Sequence, residues 1–110
     1  MATLAERIRD ARRVWIKAEG FEFQVQRPTD VEMTRWRQDP ADLFVARCIV
    51  DWRLKELDLV ASGGGETPQF DREAFLEWVG DRPKLLKALA DKILELYKQH
   101  SKAREEQQKN

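Results

Sequence analysis

Cysteine, histidine and tyrosine each occur only once in these 110 residues. A single cysteine, Cys48, excludes an internal disulfide and any cysteine-based zinc site. It lies within an apolar run, so it is expected to be a buried small hydrophobe rather than a nucleophile. A single histidine, His100, stands beside a polar tail, so no serine or cysteine triad with a histidine base can be assembled within this chain. Charge of one sign is also lacking: twenty basic residues balance twenty acidic ones. A dedicated nucleic-acid binder usually carries a basic excess, so the balance argues against one while leaving room for a local basic patch. No apolar run approaches the length needed to span a bilayer. The N-terminus is charged from Glu6 onward and offers no signal-peptide hydrophobic region. The expectation is one soluble domain made in the cytoplasm.

The clearest local signals lie in the first half. Thr3-Leu-Ala-Glu6 matches a capping box, with Leu4, Ile8 and Ala11 along one face of a short helix. Val14 to Ala18 is rich in β-branched and aromatic residues. Glu19-Gly20 offers a turn, and Phe21-Glu-Phe-Gln-Val-Gln26 alternates apolar and polar residues. Val14–Gln26 therefore reads as a β-hairpin with Phe21, Phe23 and Val25 facing a core that helices must cover. Arg27-Pro28 ends the strand, and Thr29-Asp-Val-Glu32 is a second capping box opening a short helix that stops near Gln38.

Asp39 to Leu59 then supplies apolar residues on many sides, which predicts a central core helix capped by Asp39 with Pro40 in its first turn. Lys55–Leu59 either continues that helix or forms a separate turn. Ala61–Pro68 is breaker-rich and reads as a surface loop. A phosphate-binding role for Gly63–Gly65 would need a following lysine and a helix start, whereas Glu66, Thr67 and Pro68 follow. Asp71 is expected to cap a short helix closed by Gly80, and Asp81 to cap a last helix with Leu85, Leu86, Leu89, Ile93, Leu96 and Tyr97 along one face. The predicted fold is α+β, an N-terminal β-hairpin packed against about five helices in the order α-β-β-α-α-α-α. Residues 1–100 are expected to form the domain, and 101–110 a polar, frayed tail.

Chemistry is sparse. Asp51, Asp58, Asp71, Glu73 and Glu77 are explained equally well as solvated faces or caps, and no acid with a raised pKa can be inferred among them. No catalytic residue, cofactor or metal is expected. Tryptophan and arginine are more informative, because both are over-represented at binding hot spots. Of the four tryptophans, Trp52 is expected in the core. Trp15, Arg35, Trp36 and Trp78 are the candidate partner-binding residues, with core packing the alternative for the tryptophans.

Three segments in succession resemble the small tail assembly chaperones of long-tailed bacteriophages. The first is Ala11-Arg-Arg-Val-Trp-Ile-Lys17 leading to Phe21-Glu-Phe-Gln-Val-Gln-Arg-Pro-Thr-Asp-Val-Glu-Met33, similar to a strand pair running into an Arg-Pro-Thr helix start. The second is Cys48-Ile-Val-Asp-Trp52 before a glycine-rich loop. The third is Thr67-Pro-Gln-Phe-Asp-Arg-Glu-Ala-Phe75 followed by an Asp-Arg-Pro helix start. Arg53-Leu54, where a glycine often stands in that family, suggests a longer central helix here. The resemblance implies a non-enzymatic role in phage or prophage tail morphogenesis. It implies binding to the tape measure protein in the cytoplasm of the bacterial host, with the tail-tube protein as a second candidate partner. A tail connector retained in the virion is the alternative, followed by a nucleic-acid-binding accessory protein.

Overall fold

Threonine caps set the first two helices where their spacing predicts. In the computed structural model, which describes residues 1–108, Thr3 Oγ1 accepts from the Glu6 amide at 3.1 Å to open α1, Leu4–Asp10. Thr29 and Glu32 exchange both bonds of a capping box at the start of α2, Asp30–Trp36. Between them, β1 (Arg13–Ala18) and β2 (Phe21–Gln26) pair antiparallel, with Val14 opposite Val25 and Ile16 opposite Phe23. The link is a two-residue turn with Glu19 at φ 51° and Gly20 at φ 86°. Positive φ at both positions matches the right-handed twist of a hairpin, as in a type I′ turn. Phe23 and Val25 are fully buried.

The expected central helix is two elements of different kind. Helix α3 covers Ala41–Cys48, and Ile49–Trp52 is a third strand, β3, antiparallel to β2. The sheet order is β1-β2-β3, so the hairpin's second strand is the central one. The physical reason lies in Ile49-Val50-Asp51-Trp52: β-branched and aromatic residues favour a pleated, buried surface, and a short apolar run has no period that separates strand from buried helix. Val50 is the extra residue of a bulge, since Gln24 faces Asp51 while Val25 faces Ile49. Arg72 secures the junction, its Nε donating to Ala46 O at 2.8 Å and an Nη donating to Ile49 O at 3.2 Å. Arg53-Leu54 thus follows a strand rather than lengthening a helix. Pro40, not Asp39, occupies the cap position of α3, and Asp39 pairs instead with Arg47 at 3.0 Å.

Lys55–Leu59 forms a separate turn of helix, α4 (Glu56–Leu59), and helices α5 (Arg72–Val79) and α6 (Pro83–Gln108) complete the order α-β-β-α-α-β-α-α-α. Asp71 caps α5 as expected, accepting from the amides of Glu73 and Ala74. Gly80 ends it in right-handed backbone, at φ −56°, so its role is not the left-handed cap that glycine often supplies. The class is α+β, with a three-stranded sheet and six helices among the described residues. Helix α3 is central, touching α5, α6 and β3, and α6 passes along β1. Their shared core includes Phe23, Ile49, Trp52, Phe75, Leu89 and Ile93.

The polar stretch after His100 continues α6 through Gln108 rather than fraying from residue 101; residues 109 and 110 of the expected tail lie outside the described residues. Polar ties replace the missing apolar ones. Tyr97 donates its hydroxyl to Asp30 at 2.7 Å, and Arg104 pairs with the same carboxylate at 2.9 Å. Among the described residues no helix is long and apolar enough to cross a membrane.

Candidate protein-binding surface

Helix α1 makes a short amphipathic face and buries none of it. Leu4 and Ile8 stand one turn apart with 69% and 59% of their surface exposed. Ala11, next on that stripe, lines a cleft of about 200 Å³ together with Val14 and Leu96. Val14 lies on β1, at one edge of the sheet, and is 40% exposed. Arg12, Arg13, Arg27 and His100 complete its lining.

Three carboxylates partly balance those cations. Arg12 donates to Glu32 at 3.0 Å, Arg13 to Asp10 at 3.2 Å, and Arg104 to Asp30. The Arg27 guanidinium donates to the carbonyl of Pro28 at 3.1 Å. Burial lowers the Arg27 pKa, and the neighbouring Arg12 and Arg104 lower it further. His100 is lowered in the same way, by burial first and then by Arg27 and Arg104. Asp30 is held below the usual carboxylate range by the Tyr97 hydroxyl and then by Arg104. Glu32 is raised by burial, but the Thr29 amide and the Arg12 guanidinium outweigh that and leave it lowered.

The four candidate residues read from sequence do not converge. Trp15 projects on the outer sheet face beside Gln24, and the Arg53 guanidinium stacks over its ring at 3.9 Å. Arg53 is steered there by an ion pair with Glu22 at 2.8 Å. Trp36 ends α2, half-buried against the core, with Arg47 over its ring at 5.6 Å. Arg35 is exposed on the same helix, beside Val31 and Thr34. Trp78 packs from α5 onto Phe21, ring centroids 5.3 Å apart and nearly perpendicular, and its indole N–H donates to Asp58 O at 3.0 Å. Its remaining surface lines a shallow cleft of about 600 Å³ with Leu59, Val60 and Arg82. Trp52 is in the core, its indole N–H donating to Pro68 O at 2.8 Å.

Other candidate chemistry is accounted for locally. Cys48 is buried, and burial, with Glu32 nearby, pushes its thiol up to about 12, far from a reactive thiolate. The glycine loop folds back onto α4: the amides of Glu56 and Leu57 donate to Glu66 O and Gly64 O at 2.8 and 3.0 Å. Those are the donors a phosphate at this helix start would need. Among the described residues no group of three or more histidine, cysteine, aspartate or glutamate side chains is placed to hold a metal ion.

Sequence reasoning missed Arg27 and the exposure of Leu4 and Ile8. The stripe itself was legible, but two apolar positions in a seven-residue helix do not say whether a neighbour covers them. The proximity of Arg27 to His100 comes from α6 crossing β1, which no local pattern encodes. Comparison with protein-family models, curated proteins and solved structures finds no match to this chain.

Proposed function

We propose that this protein is a phage or prophage tail assembly chaperone, working in the host cytoplasm by binding the tape measure protein rather than by catalysis. The observation that supports a binding role is α1: an amphipathic helix whose apolar stripe, Leu4 and Ile8, faces solvent on an otherwise highly charged chain. Exposed apolar stripes rimmed by charge mark interaction sites, and a long helical client can lay its own apolar face against one. Edge strand β1 adjoins the stripe through Val14, which offers extended backbone for pairing as well. The tail-specific part of the reading rests on the succession of the three segments quoted above, from Ala11 to Phe75.

The test is co-expression with the tape measure protein encoded by the same genome. The expected result is a soluble complex that survives affinity purification, and absence of this chain from mature particles by mass spectrometry. Abundant protein in finished tails would instead make it a retained connector. Failure to retain the tape measure protein would remove the chaperone reading.

A further inference from the structure

The cleft at the end of α1 combines apolar surface with cations that lack a full set of counterions. Arg12, Arg13 and Arg104 pair one to one with Glu32, Asp10 and Asp30, which leaves the Arg27 cation that lines the cleft over, in a chain whose net charge is zero. Asp10 is itself largely exposed, at 61%, so it screens Arg13 weakly. Arg27 has no carboxylate within ion-pair distance among the described residues. The Arg12 side chain sits behind it, held by Arg27 O and Glu32, with its Nε buried and unpartnered. Like charges brought together with part of their hydration removed are stabilised by an incoming anion. The adjoining stripe of Leu4, Ile8, Ala11 and Val14 is suited to an apolar helix face.

We propose that this surface docks an acidic amphipathic helix of a partner protein, whose carboxylate enters the cleft between Arg13, Arg27 and His100 while its apolar residues cover Leu4, Ile8 and Val14. Complementary charge selects the partner and its orientation, and apolar contact holds it. The proposal rests on the binding role already assigned to α1 and adds the chemistry of what is bound.

His100 is the one histidine of the chain and reports on the cleft directly. Its pKa is held down by burial and by Arg27 and Arg104, with Asp30 opposing them. A carboxylate seated beside Arg27 offsets those cations and raises it. The test is an NMR titration of the His100 ring in the full chain, alone and with two synthetic helical peptides. Both peptides carry the same leucine stripe, flanked by glutamate in one and lysine in the other. The expected result is an upward move of the His100 pKa with the glutamate peptide only, weakening as salt is raised. Arg27→Gln is expected to raise the His100 pKa of the free chain and to weaken the glutamate peptide about tenfold. Arg13→Gln serves as the second variant and is expected to weaken it too.

Equal binding of both peptides, or a His100 resonance unmoved at saturating glutamate peptide, would overturn the proposal. So would an equal His100 response to vesicles of phosphatidylserine and phosphatidylcholine or to single-stranded DNA, since the cleft would then take any polyanion. In the co-expression assay, retention of the tape measure protein undiminished by Arg13→Gln and Arg27→Gln would remove the acidic-helix chemistry and leave the chaperone reading standing. Loss of retention with the wild-type chain would remove the chaperone reading itself.

Discussion

Individual residues carry strain and close approach at two places. Glu19 holds left-handed backbone at φ 51° in the hairpin turn, a conformation that costs a non-glycine residue roughly 1–2 kcal/mol. Glu19→Asn is therefore expected to stabilise the fold by up to about 1 kcal/mol, because asparagine tolerates that region better. Chemical denaturation reads this out, and a lower midpoint would contradict the turn assignment. Gly63 is different. A Cβ there would lie 2.5 Å from the Glu56 carbonyl carbon, which is backbone and cannot step aside cheaply. Gly63→Ala is expected to lower stability by about 1–3 kcal/mol, whereas Gly64→Ala and Gly65→Ala, with open space around them, change it little. Among the tryptophans, Trp52→Ala should be the costliest at roughly 3–5 kcal/mol, since its ring is buried and its N–H bonded. Trp36→Ala should cost less, its ring being only half-buried, and matching unfolding midpoints for the two would refute that division.

At the level of elements, the threonine caps, the Asp71 cap and the hairpin were readable because each depends on neighbours in sequence. Thr29 and Glu32 need only three residues to find each other, and Phe21, Phe23 and Val25 show their face by alternation. The end of α3 was not readable. Helix gives way to strand at Ile49 because β2 supplies a partner and Arg72, 23 residues later, takes up the carbonyl of Ile49. Both are tertiary facts. The same holds for the last turns of α6, where the apolar pattern stops and Asp30 takes over through Tyr97 and Arg104. Asp30→Asn is expected to speed amide exchange after Tyr97 while leaving core amides of α3 protected.

Acid should act in the same place. Asp30 and Glu32 have lowered pKa values in the fold. Their contribution is present in full above the unfolded carboxylate range and is lost as pH falls through the folded values. The tether of α6 to α2 through Asp30, and the Arg12–Glu32 pair beside it, should therefore loosen below about pH 4, ahead of the apolar core, and exchange measured across that range would show it. Simultaneous loss of core and tail protection would contradict the order.

For the whole molecule, stability and binding lie in different parts. One face of the sheet, with α3, α5 and α6, forms the core. Helix α1 contributes no buried residue, so its apolar side chains do little for the folded state. Of the candidate binding residues read from sequence, Trp78 is engaged in packing, and Trp15 lies on the outer sheet face under Arg53. The exposed stripe was half legible: its period was visible, and its lack of cover was not. The most direct measurement is a comparison of the wild-type chain with the double variant Leu4→Ser, Ile8→Ser, scored for thermal midpoint and for retention of the co-expressed tape measure protein. The account predicts an unchanged midpoint, within about 0.5 kcal/mol for surface substitutions, together with lost retention. Undiminished retention by the double variant, or a midpoint lowered as far as that of Trp52→Ala, would contradict it.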